Sequence, residues 1–206
     1  DPAYSDPLGV DPEQARWRQA ERTRLAGLRE GLSQAGRAQV SGSIRGHLAT
    51  VLASHGLGRG TVLAGYWPIK REPDLRPLLA DLHSKGVAIA LPVVEIRAAP
   101  LVFRRWTPGM RMVRGHWNIP VPPPDAEALT PDIALAPCLG WDDGCYRLGW
   151  GGGYYDRTLA ALSPRPVTIG IALAAARLTT IYPQPHDVPL DMILTENGVA
   201  TGRTGR

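Results

Sequence analysis

The chain has 206 residues, 44% of them apolar, which is enough for one well-packed core and short for two. No apolar run approaches the roughly 18 residues of a membrane span, and the opening Asp1-Pro-Ala-Tyr-Ser-Asp-Pro lacks the basic and apolar regions of a signal peptide, so a cytoplasmic protein without a membrane partner is expected. The net charge of +4 is spread along the chain, with arginines and acids interleaved through residues 1–45, which argues against a nucleic-acid partner.

Residues 1–12, rich in Pro and Asp, read as a loose lead-in, with Asp11 placed to cap a helix and Pro12 at its first position. That helix is expected to run to about Leu32. Trp17, Leu25, Leu28 and Leu32 form its apolar stripe, while Arg18, Arg22 and Arg29 recur at spacings of four and seven along another face. A second helix over about 37–54 carries Val40, Ile44, Leu48 and Leu52 at intervals of four, and Gly56, Gly58 and Gly60 end it. From residue 61 short apolar runs alternate with helical periodicity: a strand at 61–66, a helix at 74–83 and a strand at 87–92. That alternation argues for parallel strands joined by crossover helices. Another strand, 101–106, precedes an irregular stretch over 107–131, which Pro120, Pro122, Pro123 and Pro124 mark as a long surface connection. Regular structure resumes with a buried strand at 132–136, a helix at 154–162 and strands at 167–172 and 192–195, and the tail, 201–206, is expected to fray. The expected fold is α/β, a single domain over 13–200 with a mostly parallel, three-layer Rossmann-like sheet, helices on both faces and two helices preceding it.

The densest chemistry lies in Arg147-Leu-Gly-Trp-Gly-Gly-Gly-Tyr-Tyr-Asp-Arg157, where Gly149, Gly151, Gly152 and Gly153 end at the start of a predicted helix. Amides with no side chains to screen them close around a phosphate, and the helix N-terminus and two arginines add favourable charge. Such glycines also suit a tight turn, but Arg147, Tyr154, Tyr155, Asp156 and Arg157 bring more chemistry than a connector needs. The spacing matches neither a dinucleotide fingerprint nor a Gly-Lys-Ser/Thr P-loop. In the phosphate reading Arg147 contacts the anion directly and the amides of Gly149 to Gly153 cradle it. Asp156 stands near enough to help hold magnesium, which takes one or two carboxylates and fills its shell from phosphate oxygens and water. Cys138 and Cys145 lack zinc or redox spacing and read as free thiols.

This run resembles the signature of the 5-formyltetrahydrofolate cyclo-ligase family, also called methenyltetrahydrofolate synthetases, whose members carry Arg-Leu-Gly-x-Gly-x-Gly-Tyr/Phe-Tyr-Asp. Other segments match in the family's order along most of the chain. The resemblance implies a sheet like that of the sugar-isomerase and CoA-transferase group, ATP as co-substrate, Mg2+ as cofactor and a reduced folate as substrate. It implies ATP contacts from Arg18, Arg22, Arg147, Leu148, Gly149, Trp150, Gly151, Gly152, Gly153, Tyr154 and Tyr155, with Arg147, Tyr154 and Asp156 catalytic and Asp187 the second metal carboxylate. Arg18 and Arg22 are one helical turn apart, so both reach one polyphosphate. Tyr66-Trp67-Pro-Ile-Lys-Arg-Glu72-Pro-Asp74 resembles the family's Tyr-x-Pro-x-x-x-Glu-x-Asp. Trp67 would stack on a pterin and Glu72 accept its N–H donors, with Trp150, Gly151, Gly152, Gly153 and Tyr154 lining the same folate site. The implied reaction passes phosphate from ATP to the formyl oxygen, after which the second folate nitrogen closes the methenyl bridge. Such chemistry needs positioning and charge neutralisation rather than a nucleophilic side chain.

Two segments depart from the pattern. Cys145 stands where the family has Gly, and Trp117-Asn-Ile-Pro-Val-Pro122 replaces Phe-Gly-Ile-Pro-Glu-Pro. Asn118 tolerates left-handed backbone well and Cys145 poorly, and Val121 lacks a carboxylate, so the changes bear on the folate pocket and not on the nucleotide site. A monomer acting on small molecules is expected. Two other classes stay open: a folate- or nucleotide-binding relative without turnover, and a phosphosugar isomerase or acyl-transfer protein that uses such a loop without ATP.

Overall fold

The computed structural model describes residues 11–204. Asp11 caps the first helix, α1 (Pro12–Glu30), by accepting from the Glu13 amide at 2.9 Å, and Pro12 takes the first helical position, where no N–H is needed. Of the expected lead-in, residues 1–10 lie outside the described residues and Pro12 is already helical. Gly31 ends the helix, its N–H returning to the carbonyls of Gly27 and Arg29. The buried register departs from the apolar stripe, since Leu25 and Arg29 are buried while Leu28 is 38% exposed. A guanidinium takes the core position because it reaches a strand end, donating to Cys138 O at 2.7 Å.

The second helix, α2 (Gln34–Ser54), starts ahead of its apolar periodicity because Ser33 caps it, accepting from the Gly36 amide at 3.0 Å. There follow β1 (Val62–Ala64), α3 (Arg76–Ser84), β2 (Ala88–Val93) and β3 (Val102–Trp106). The stretch expected to be irregular contains a ribbon, β4 (Val113–Arg114) with β5 (Pro120–Val121), joined through a 3-10 turn at His116–Asn118. Next come β6 (Ile133–Pro137), the hairpin of β7 (Gly140–Trp141) and β8 (Arg147–Leu148), α4 (Tyr154–Ala161), β9 (Val167–Ile171), β10 (Met192–Thr195) and β11 (Gly198–Gly202).

Seven strands form one sheet in the order β11-β10-β9-β6-β1-β2-β3. The five inner strands run parallel, and the two outermost pair antiparallel with their neighbours. The strand expected at 101–106 is β3, and because the short segment between β2 and β3 holds no crossover helix, β3 turns back antiparallel on β2. β11 was not expected at all. A tight turn through Glu196-Asn197, with Gly198 at φ 102°, folds it onto β10, so Thr201 and Gly202 of the tail pair with Ile193 and Met192 instead of fraying.

The two faces of the sheet differ in side-chain size. Leu63, Ile89, Leu91, Ile133, Leu135, Ile169, Ile171 and Leu194 point to one face and pack with Ile44, Leu48 and Leu52 of α2 and Leu78 and Leu79 of α3. The other face is lined by Ala64, Ala90, Ala134, Ala136 and Gly170, small residues that let α4 and the β7–β8 hairpin approach closely. Strand order reverses between β1 and β6, the chain laying β2 and β3 to one side of β1 and β6, β9 and β10 to the other. In parallel sheets the crevice outside such a switch point is where ligands bind, and the segments that leave β1 and β6 there carry Glu72 and the glycine run. No helix among the described residues is long and apolar enough to cross a membrane.

Candidate active site

The glycine run follows β8 of the small hairpin and leads into α4, whose start at Tyr154 is where the helix was expected. Gly153, at φ 64°, is the N-cap of α4 and offers no side-chain bond, so the helix end is open to a ligand. None of the amides of residues 149–153 donates a hydrogen bond among the described residues, and all five residues are half-buried. Their carbonyls are held instead. Arg22 Nε donates to Gly149 O at 2.8 Å and Arg157 Nη1 to Gly152 O at 2.6 Å. With the carbonyls turned to these guanidiniums, five main-chain donors remain for an anion. Backbone geometry and crowding both favour these glycines. Gly151 sits at φ 101° and Gly153 at φ 64°, a Cβ on Gly152 would lie 2.8 Å from the Tyr154 ring, and one on Gly149 would have to displace the Arg147 guanidinium.

Three arginines converge here. Arg147 Nε donates to Pro137 O at 3.3 Å, and its guanidinium lies 4.8 Å over the Tyr155 ring. Arg22 has its pKa lowered to about 10, first by burial and then by the cations of Arg18 and Arg147, with Asp187 pulling the other way. Like charges held this close favour an arriving polyanion. Two carboxylates face them. Asp156, on the first turn of α4, accepts from the Val188 amide at 2.9 Å and has its pKa raised, chiefly by burial, with the Arg147 charge opposing and the Asp187 charge adding to the rise. Asp187 accepts from the Gln184 amide at 2.7 Å and from Arg18 Nη2 at 2.6 Å. No cluster of three or more His, Cys, Asp or Glu residues forms among the described residues. This pair alone suits a cation that draws its other ligands from phosphate and water, as magnesium does.

Beside the run, Glu72 is 8% exposed, and its carboxylate accepts from the Ile69 amide at 3.0 Å. Burial pushes its pKa up, and that amide, Arg29 and Arg147 counter part of the rise. Trp150 Nε1 meets Glu72 Oε1 at 3.5 Å, joining the segment after β1 to the glycine run across the switch point. Trp67, expected to stack on ligand, is half-buried against the main core with the Arg76 guanidinium 5.0 Å over its ring. Trp150 is therefore the aromatic side chain set against Glu72, and Lys70 Nζ covers its ring at 4.0 Å. Leu148 is buried in the core beneath the run, and Tyr155 is likewise inward, its hydroxyl buried without a partner among the described residues.

Sequence reasoning singled out Trp117 only as a departure and left His116 aside. The β4–β5 ribbon carries both to the mouth, with Trp117 6.3 Å and His116 5.9 Å from the Tyr154 ring. The aromatic residue inside a Pro-rich connection was the available signal. Lys70 had none, because nothing local ties it to a tryptophan 80 positions on.

The profile of the 5-formyltetrahydrofolate cyclo-ligase family matches residues 14–196. A 5-formyltetrahydrofolate cyclo-ligase of Mycolicibacterium smegmatis is 32% identical over 182 residues, covering 84% of this chain and 91% of that protein. One of Escherichia coli is 29% identical over 134 residues, covering 62% and 74% respectively. Among solved structures, the 5,10-methenyltetrahydrofolate synthetase of Aquifex aeolicus superposes with a TM-score of 0.76 at 27% identity, over 92% of this chain and 94% of that one. The synthetase of Mycoplasma pneumoniae, 24% identical with a TM-score of 0.71 over 87% and 98%, shares the fold. Profile, relatives and superposition agree with the motif at 147–156, and the chain belongs to the 5-formyltetrahydrofolate cyclo-ligase family.

Proposed function

We propose that the protein converts 5-formyltetrahydrofolate to 5,10-methenyltetrahydrofolate with ATP and Mg2+, releasing ADP and phosphate. The single observation that carries the proposal is the set of five amides at 149–153 that have no hydrogen-bond partner among the described residues, with the charges of Arg18, Arg22, Arg147, Asp156 and Asp187 gathered beside them. The formyl oxygen attacks the terminal phosphorus of ATP and ADP departs; the second folate nitrogen then attacks the activated carbon, and phosphate leaves with the former formyl oxygen. The amides and guanidiniums hold the polyphosphate in line and neutralise the charge on the group in transfer. Asp156 and Asp187 are the residues to hold Mg2+, which when bound supplies further neutralisation. Glu72 accepts the pterin N–H donors, with Trp150 and Tyr154 beside it. In this reading Arg147, Tyr154 and Asp156 act at the phosphoryl transfer itself.

Mixing the protein with 5-formyltetrahydrofolate, ATP and Mg2+ should raise the near-ultraviolet absorbance of the methenyl product. Binding of both substrates without that rise would leave a non-catalytic relative. Arg147→Ala should weaken ATP binding at least about tenfold while folate affinity holds, and an unchanged nucleotide affinity removes Arg147 from the site.

A further inference from the structure

We infer that Arg18 and Asp187 form an exchangeable ion pair that makes metal and nucleotide binding interdependent. The inference rests on the reading of this site as one for a metal-bound polyphosphate. Arg18 is a phosphate residue in that reading and Asp187 a metal residue, yet the structure pairs them with each other. Arg18 Nη2 lies 2.6 Å from Asp187 Oδ2, and their side chains are 12% and 8% exposed. Each is held by its surroundings: Arg18 Nη2 also donates to Tyr182 O at 3.0 Å, and the same Asp187 oxygen accepts from the Gln184 amide at 2.7 Å. The pairing leaves a deficit. Arg18 Nε is buried with no hydrogen-bond partner among the described residues, a donor that an arriving anion can satisfy.

Breaking such a pair by engaging one member alone is costly, because the other keeps its charge in a half-buried site. A metal ion alone takes the carboxylate and leaves Arg18 uncompensated beside Arg22, whose pKa is already lowered by burial and then by the charges of Arg18 and Arg147. A polyphosphate alone takes Arg18 and sets its own charge against Asp187 and Asp156. When the two arrive together, each half of the pair gains a new partner and neither charge is stranded. The coupling is a free energy shared by both ligands and therefore reciprocal.

Mn2+ binding to the full chain without nucleotide, followed by electron paramagnetic resonance, and ATP binding in excess chelator, followed by calorimetry, test this directly. Arg18→Gln should tighten Mn2+ binding at least about tenfold and weaken metal-free ATP binding. Asp187→Asn should do the opposite. Arg22→Gln removes the same charge one turn away from a residue bonded to a carbonyl and not to a carboxylate, so its gain in Mn2+ affinity should be distinctly smaller. Equal gains in the two arginine variants, or loss of both ligands' affinity in Arg18→Gln and Asp187→Asn alike at unchanged unfolding midpoints, would overturn the inference while leaving the proposed function standing. Failure of the wild-type protein to bind Mg2+ with ATP would remove both.

Discussion

Cys145 is fully buried at φ 63°, so it combines a side chain that packs with a backbone that a side chain disfavours. Replacing it by Ala removes the buried sulfur and keeps the strain, whereas Gly removes both. Urea unfolding should therefore rank Cys145→Gly as at least as stable as Cys145→Ala, the reverse of the usual order, in which Gly trails Ala by roughly 0.5–1 kcal/mol. The geometry was legible from the substitution itself, because Cys145 replaces a family glycine. The same logic anticipated Asn118, found at φ 60°. Asp156 shows a different residue-scale effect. Burial places its folded pKa above the unfolded value near 3.8, so its contribution to stability is complete below that pH and lost as pH rises through the folded value. Asp156→Asn should accordingly raise the unfolding midpoint of the metal-free protein at pH 7 and flatten its pH dependence, while turnover across a metal titration falls at least about tenfold. Wild-type turnover in that titration would contradict its role as a metal ligand. Arg29 was the least legible residue. Its spacing marked a charged face, and only the reach to Cys138 O accounts for its burial.

At the scale of elements, α1 is held mainly by polar contacts. Three of its five arginines reach three separate places, Arg18 the segment at 182–187, Arg22 the carbonyl of Gly149 and Arg29 the end of β6. Burial lowers the pKa of Arg29, and the nearby Glu72 charge offsets part of that cost. Arg29→Met leaves Glu72 buried without this counter-charge and should cost about 3 kcal/mol in urea unfolding. Adding Glu72→Gln should recover part of the loss, and strict additivity of the two changes would show that they do not interact. The inner strands and all four helices were readable from apolar periodicity because their patterns are local. β3 was readable as a strand but its antiparallel direction, set by a short turn, was not, and β11 and the β4–β5 ribbon were missed because they depend on a tight turn and on pairing across a Pro-rich segment.

Across the whole molecule, the small-residue face of the sheet sets how closely the site layer sits. A Cβ on Gly170 would fall 2.6 Å from Ile193 Cδ1 and 2.8 Å from both Cys138 Sγ and Leu190 Cδ1. Gly170→Ala should cost about 1–3 kcal/mol and, by displacing Cys138 at the root of the hairpin, also weaken ATP binding; intact ATP affinity in the destabilised variant would separate the two effects. The residues that make up the site come from positions 18 to 187, and their types were legible while their meeting was not. No local signal could tell that the strand order reverses between β1 and β6, which brings Glu72 to Trp150. The helix that carries Arg18 and Arg22 buries only Leu25 and Arg29, so oil contributes little to keeping it seated. A bound triphosphate would act as its missing fastener, slowing amide exchange along residues 12–30 while leaving 34–54 unchanged. Deprived of nucleotide, the chain should offer that first helix to a protease before the three other described α-helices.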